Sequence, residues 1–183
     1  NLETSHVLPA FIRKFHLAKL LRGHDFDSLK RDMSIYKLGF GLDKEVNFDD
    51  DQSISSVLAK IGVSQDYVTL WGTGEVYREF LYVDDLADAA VFLMENFNYN
   101  EVGEFVNIGA GKDMKIKDVA ELIREIVGFK GDIKHDFSRP DGTPRKLLDV
   151  SKLKSFGWKA KVILQDGVRT SYNWYCHSTK FSG

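Results

Sequence analysis

Arg78 lies within a run of aromatic and β-branched residues, Tyr77 to Val83, where a strand would hold its guanidinium half-buried as a fork suited to a diphosphate. An ion pair with Glu79 or Asp85 is the plainer alternative. Trp71 closes the preceding apolar run, YVTLW, just before Gly72 to Gly74. There an indole can wall a ligand or pack in the core. His6 stands where an apolar helical period begins, a position open to a proton-transfer group or to an idle capping histidine. The loop SRPDGTPRK brings Arg139, Asp141, Arg145 and Lys146 together in a stiff segment. It reads as an anion clamp with a carboxylate for hydroxyls or a base amine, or as a solvated charged turn.

Other chemistries find less support. Gly109 to Lys112, GAGK, has neither the G-x-G-x-x-G nor the G-x-x-x-x-G-K-[ST] spacing and reads as a turn. No dinucleotide fingerprint occurs elsewhere, and no Y-x-x-x-K pair is placed to act as a dehydrogenase base. The spacing of His6, His16, His24, His135 and His177 suggests no zinc site. Asp49, Asp50 and Asp51 are consecutive, so their side chains converge poorly on one ion, and no metal is expected. Cys176 is the single cysteine, which rules out an intrachain disulfide.

The elements that must position these residues follow from periodicity. Leu8, Phe11, Phe15 and Ala18, with Ile12 beside them, mark an amphipathic helix to about Leu21, with Pro9 near its first turn. Arg13, Lys14 and Lys19 give that helix a cationic side. From about 22 to 66 the chain turns polar and reads as an insertion. Within it, Ile54, Val57, Leu58 and Ile61 mark a short helix with Ser53 as a possible N-cap and Gly62 as its stop. YVTLW and REFLYV are expected strands, and Asp84 should cap a helix whose Leu86, Ala89, Ala90, Leu93 and Phe97 face inward. EFVNIGAG reads as a strand, Ile116 to Val127 as a helix ended by Gly128, and Asp132 to Asp136 as a further strand. A short helix in LLDVSKLKSFGW and a last one through Val168, Tyr172 and Tyr175 complete an α/β pattern.

The 183 residues suffice for one real core. With 43% hydrophobic and 28% charged residues, the composition excludes disordered, collagenous and membrane classes. A net charge of −2 with interspersed signs argues against a nucleic-acid partner. The expected location is cytoplasmic. The start, NLETSHVLPA, lacks an initiator methionine and a leader pattern and suggests a cut within a longer protein. On that view the apolar face Leu8/Phe11/Phe15 would be bared, and the chain would self-associate.

Taken together, SHVLPAFIRKFHLAK, VTLWGTG, REFLYVDDLADAA, VNIGAG and RPDGTPRKLLDVSKLKSFGW resemble the C-terminal half of the GDP-L-fucose synthases, within the extended short-chain dehydrogenase/reductases. The resemblance runs from about Leu2 to Trp174 and weakens in the insertion. REFLYVDD and NIGAG are shared across nucleotide-sugar epimerases and dehydratases, whereas SHVLPA and PDGTPRKLLDV are more specific. It implies a substrate-binding C-terminal portion of an NADP-dependent enzyme that epimerises GDP-4-keto-6-deoxy-D-mannose at C3 and C5 and reduces its C4 ketone. The cofactor would be held mostly by an absent N-terminal Rossmann domain, and the full-length enzyme would be a homodimer. By the same resemblance His6 is the acid/base residue and lies near the nicotinamide, Lys14 and Trp71 contact the GDP-sugar, Arg78 meets the diphosphate, and Asp141 is the last substrate contact. The family's glycine-rich motif, Ser-Tyr-Lys set and catalytic cysteine have no counterpart here, and Cys176 lies too far along to replace that cysteine. The isolated chain is therefore expected to be inactive. A related epimerase or reductase for another nucleotide sugar, or a non-catalytic binding module on the same scaffold, is the alternative.

Overall fold

The computed structural model describes residues 1–178. Helix α1 (Val7–Arg22) carries Phe11, Ile12, Phe15, Ala18 and Leu21 into the core, as its period requires, with Pro9 in its first turn. The face Leu8/Phe11/Phe15 is not bared. Phe11 and Phe15 are buried and Leu8 packs partly against the same core, because α6 (Ile116–Val127) and α2 (Phe26–Ile35) lie against α1.

The polar segment folds as helix. After α2 come a 3-10 turn at Leu42–Lys44 and α3 (Asp51–Lys60). Leu29, Met33, Leu38, Leu42, Ile54, Val57 and Leu58 from this stretch join the main core. Asp50, not Ser53, caps α3, accepting a hydrogen bond from the Gln52 amide at 2.9 Å. The Ser53 hydroxyl instead receives the Asn47 amide, so it closes the preceding turn.

Strand β1 (Tyr67–Trp71) pairs in parallel with β4 (Asp132–Asp136), Trp71 opposite Asp136. A second sheet has the order β3-β2-β5, from Asp113–Lys115, Tyr77–Glu79 and Arg145–Lys146. The expected strand at EFVNIGAG does not form. Both edges of β2 are already taken, by β3 antiparallel and by β5 in parallel. The stretch is tied by side chains instead, the Gly111 amide donating to Glu79 at 2.5 Å and the Asn107 amide group to the Asp149 carbonyl at 3.0 Å. The REFLYV strand stops at Glu79 because α4 (Val83–Asn96) begins early, with Tyr82 rather than Asp84 at its N-cap. Asp85, in the first turn, accepts from the amides of Lys161 and Val162, anchoring the approach to α8 (Leu164–Ser178). The short helices α5 (Tyr99–Val102) and α7 (Ser151–Ser155) flank a smaller core of Ala89, Leu93, Leu153 and Trp158. Among the described residues, no helix is long and apolar enough to cross a membrane.

Candidate functional site

A cleft of about 880 Å³ opens where α1, the end of β1 and the segment after α2 meet. Lys14, Phe40, Thr69, Trp71, Asp136 and Arg139 line it. Lys14 projects from α1, half-buried, and its Nζ donates to the Thr69 carbonyl at 3.1 Å. Burial pushes its pKa down from the ordinary lysine range to about 8. A cation held out of water by one carbonyl is a ready site for an anion, since a ligand charge would supply what the fold does not.

Trp71 is the last residue of β1 and 57% exposed. The Arg139 guanidinium lies over its ring at 5.0 Å and Phe40 meets it edge-on, with ring centroids 6.3 Å apart. The strand thus delivers an indole to the cleft, not to the core. Two residues on, the Thr73 amide and hydroxyl both donate to Asp141, at 2.9 and 2.6 Å. The hydroxyl bond first, and then the amide, hold the Asp141 carboxyl below its usual range. The turn needs Gly72 here: its φ is +75°, and a Cβ would stand 2.3 Å from an Asp141 oxygen.

Arg78 makes no ion pair with Glu79 or Asp85 among the described contacts. Its Nη1 donates to the carbonyls of Tyr77 and Thr143, at 2.6 and 2.7 Å. It therefore grips the loop that carries Asp141 and Arg139. Arg145, from the same loop, is committed to Asp113 through two hydrogen bonds. His6 is the N-cap residue of α1, exposed and without a side-chain capping bond. Ser5 and Val7 line the cleft on either side of it, while His6 itself does not.

The structure thus joins Lys14 and Trp71 in one cleft, ties Asp141 and Arg78 to its rim through one loop, and leaves His6 beside it. Phe40 was missed. Its segment has no strand alternation, and the signal that could have found it is the aromatic between two glycines in GFG. The glycine turn at 109–111 wraps a protein carboxylate: a Cβ on Gly109 would lie 2.6 Å from Glu79, whose oxygen also takes the Gly111 amide. It is filled by Glu79 and does not fit a cofactor pyrophosphate. Among the described residues no group of acids, histidines and cysteine is arranged to hold a metal.

A model described as Epimerase, the NAD dependent epimerase/dehydratase family, matches residues 34–109. The chain is 41% identical over 179 residues to the GDP-L-fucose synthase of Escherichia coli K12, covering 94% of this chain and 43% of that protein. It is 42% identical over 173 residues to GDP-L-fucose synthase 1 of Arabidopsis thaliana, covering 94% and 40%. Among solved structures, MlghC, a GDP-mannoheptose C4 reductase from Campylobacter jejuni with NADP bound, superposes with a TM-score of 0.78 at 37% identity, over 96% of this chain and 48% of that one. The chain spans about two fifths of the length of these curated relatives.

Proposed function

The chain belongs to the NAD dependent epimerase/dehydratase family, with the extended short-chain dehydrogenase/reductase fold, and on that premise we propose that it is the substrate-binding C-terminal portion of an NADP-dependent GDP-L-fucose synthase. The observation that carries this reading is Lys14, an under-partnered cation with a pKa near 8 in a cleft walled by Trp71. Lys14 receives the GDP-sugar through a phosphate oxygen. Arg78 reaches the diphosphate after giving up a carbonyl of the 142–143 turn, and Asp141 takes ligand hydroxyls beside Thr73. His6, beside the cleft mouth, supplies the proton that inversion next to a ketone requires. NADP, when bound, supplies the hydride for the ketone; the residues described here offer it no pyrophosphate cradle, and an N-terminal Rossmann domain such as the longer relatives have room for holds it. The full-length protein works as a cytoplasmic homodimer, and the 183-residue chain alone has no turnover.

A thermal-shift titration of this chain with GDP, UDP and dTDP tests the cleft, because a ligand that binds only the folded state raises its stability. A shift with GDP alone is expected. A larger shift with UDP or dTDP would move the assignment to another nucleotide sugar. In the full-length protein, His6→Asn should abolish solvent proton exchange into the sugar; unchanged exchange would leave a non-catalytic binding module.

A second reading shares the fold and changes the sugar. The likeness to a GDP-mannoheptose C4 reductase is as strong in sequence as that to several fucose synthases. The product formed by the full-length protein from GDP-4-keto-6-deoxymannose and from a GDP-4-keto-heptose separates the two.

A further inference from the structure

Phe40 has an unusual combination of features for a phenylalanine. Its backbone is left-handed, with φ +56°, a conformation that bulky side chains rarely adopt. The flanking Gly39 and Gly41 share that sign, so three successive residues turn the same way. The surroundings over-determine this turn. The Phe40 amide donates to the Glu3 carboxylate at 2.8 Å, the amides of Leu38 and Gly39 donate to Asp43, and the Leu2 amide donates to the Leu38 carbonyl. Just before it, Arg13 holds the carbonyls of Tyr36 and Lys37.

This bonded turn leaves the ring 42% exposed and at the lining of the cleft, edge-on to Trp71. A strained phenylalanine whose ring remains open to solvent is not explained by core packing, since burial does not repay the backbone conformation. With Arg139 over Trp71 and Phe40 edge-on to it, the two rings and the guanidinium form a corner of flat faces. Such a corner suits a planar aromatic ring.

We infer that Phe40, contributed by the 22–66 segment, is a specificity-determining residue that stacks the nucleobase of the nucleotide ligand against the Trp71 corner. The inference rests on the nucleotide-sugar reading above. It goes beyond that reading in giving the segment a direct contact with the ligand.

The test compares GDP with inorganic pyrophosphate on the 183-residue chain by calorimetry, in the unaltered protein, Phe40→Gly and Phe40→Trp. Glycine removes the ring and adopts the left-handed turn freely, so the melting temperature should not fall. In Phe40→Gly, GDP affinity should drop by at least about fivefold, as loss of one base-aromatic stack does, with pyrophosphate affinity unchanged. Phe40→Trp should keep GDP binding. Equal losses for both probes, or none for GDP, would overturn the inference. So would GDP binding that is unchanged while GDP-mannose binding weakens, which would put the sugar at the ring. If the unaltered chain binds pyrophosphate as tightly as GDP, the anion site stands and the base contact falls. If it binds neither, the nucleotide-sugar reading itself fails.

Discussion

Arg13 and Lys14 are neighbours on one helix, both cations drawn from water, and the structure treats them in opposite ways. Arg13 is 6% exposed and faces Asp32, which is 1% exposed; their ion pair is 2.8 Å long. The same guanidinium donates to the carbonyls of Tyr36 and Lys37, and the Tyr175 hydroxyl donates to the other oxygen of Asp32. Burial and the adjacent Asp32 charge push the Tyr175 hydroxyl pKa far up, which keeps it a donor. Lys14 turns to the cleft and finds one carbonyl. Matched partners make the first cation a fastener between α1, α2 and α8, whereas their lack makes the second a place for something else to bind. Position in the sequence does not distinguish the two; partner supply does.

The largest expected effect severs the fastener. Arg13→Met leaves Asp32 buried without its partner and should cost about 3–5 kcal/mol in urea unfolding. Adding Asp32→Leu should return much of that, as replacing a whole buried pair does. A cost for Arg13→Met no larger than that of a surface change would erase the contrast. At Lys14 the two readouts should part: Lys14→Met should weaken GDP binding by about tenfold or more, as loss of a charge-assisted bond does, while raising the melting temperature. Parallel loss of both would make Lys14 a second fastener.

A smaller and graded effect comes from pH. The folded pKa of Lys14, about 8, lies below that of unfolded lysine. Between them the unfolded chain binds the proton and the folded chain does not, so this group's contribution to stability rises with pH across that interval. Anion binding should do the reverse, flat below pH 8 and falling above it by up to about tenfold per unit. Lys14→Arg should flatten the profile. The least effect belongs to Lys19, the third cation of α1, whose Nζ donates to the last carbonyl of α6, that of Val127, at 2.9 Å. Lys19→Ala should cost about 0.5–1 kcal/mol and leave GDP binding untouched.

The long helices were legible from their three- and four-residue intervals: α1, α6 and α8 face the main core and α4 packs Ala89 and Leu93 on the smaller one, although Leu86, expected to face inward, is exposed. Gly128 ends α6 with φ +79°, as its position suggested. Strands also form at Tyr67–Trp71 and Asp132–Asp136, as expected, whereas their parallel pairing was not legible. Less legible was α2, where Phe26, Leu29 and Met33 are isolated among acids, lysine and arginine and gain meaning only against α1. The strand expected at EFVNIGAG does not form, with both edges of β2 already paired, and which strand a segment pairs with is not written in its local sequence. For the cleft, residue types singled out Trp71, Asp141 and Arg139. Arg13 read only as one residue of the cationic side of α1, since the acid that pairs with it lies nineteen positions away.

The pairing of Tyr67–Trp71 with Asp132–Asp136 bears on time as well as shape. The two strands stand about 65 positions apart, and parallel closure over such a distance is a slow, entropically costly event. Trp71 at the end of one strand and Asp136 and Arg139 at the end of the other become cleft walls only once it has occurred. On refolding, helical signal should return early, and the capacity to capture an anion should be among the last properties regained.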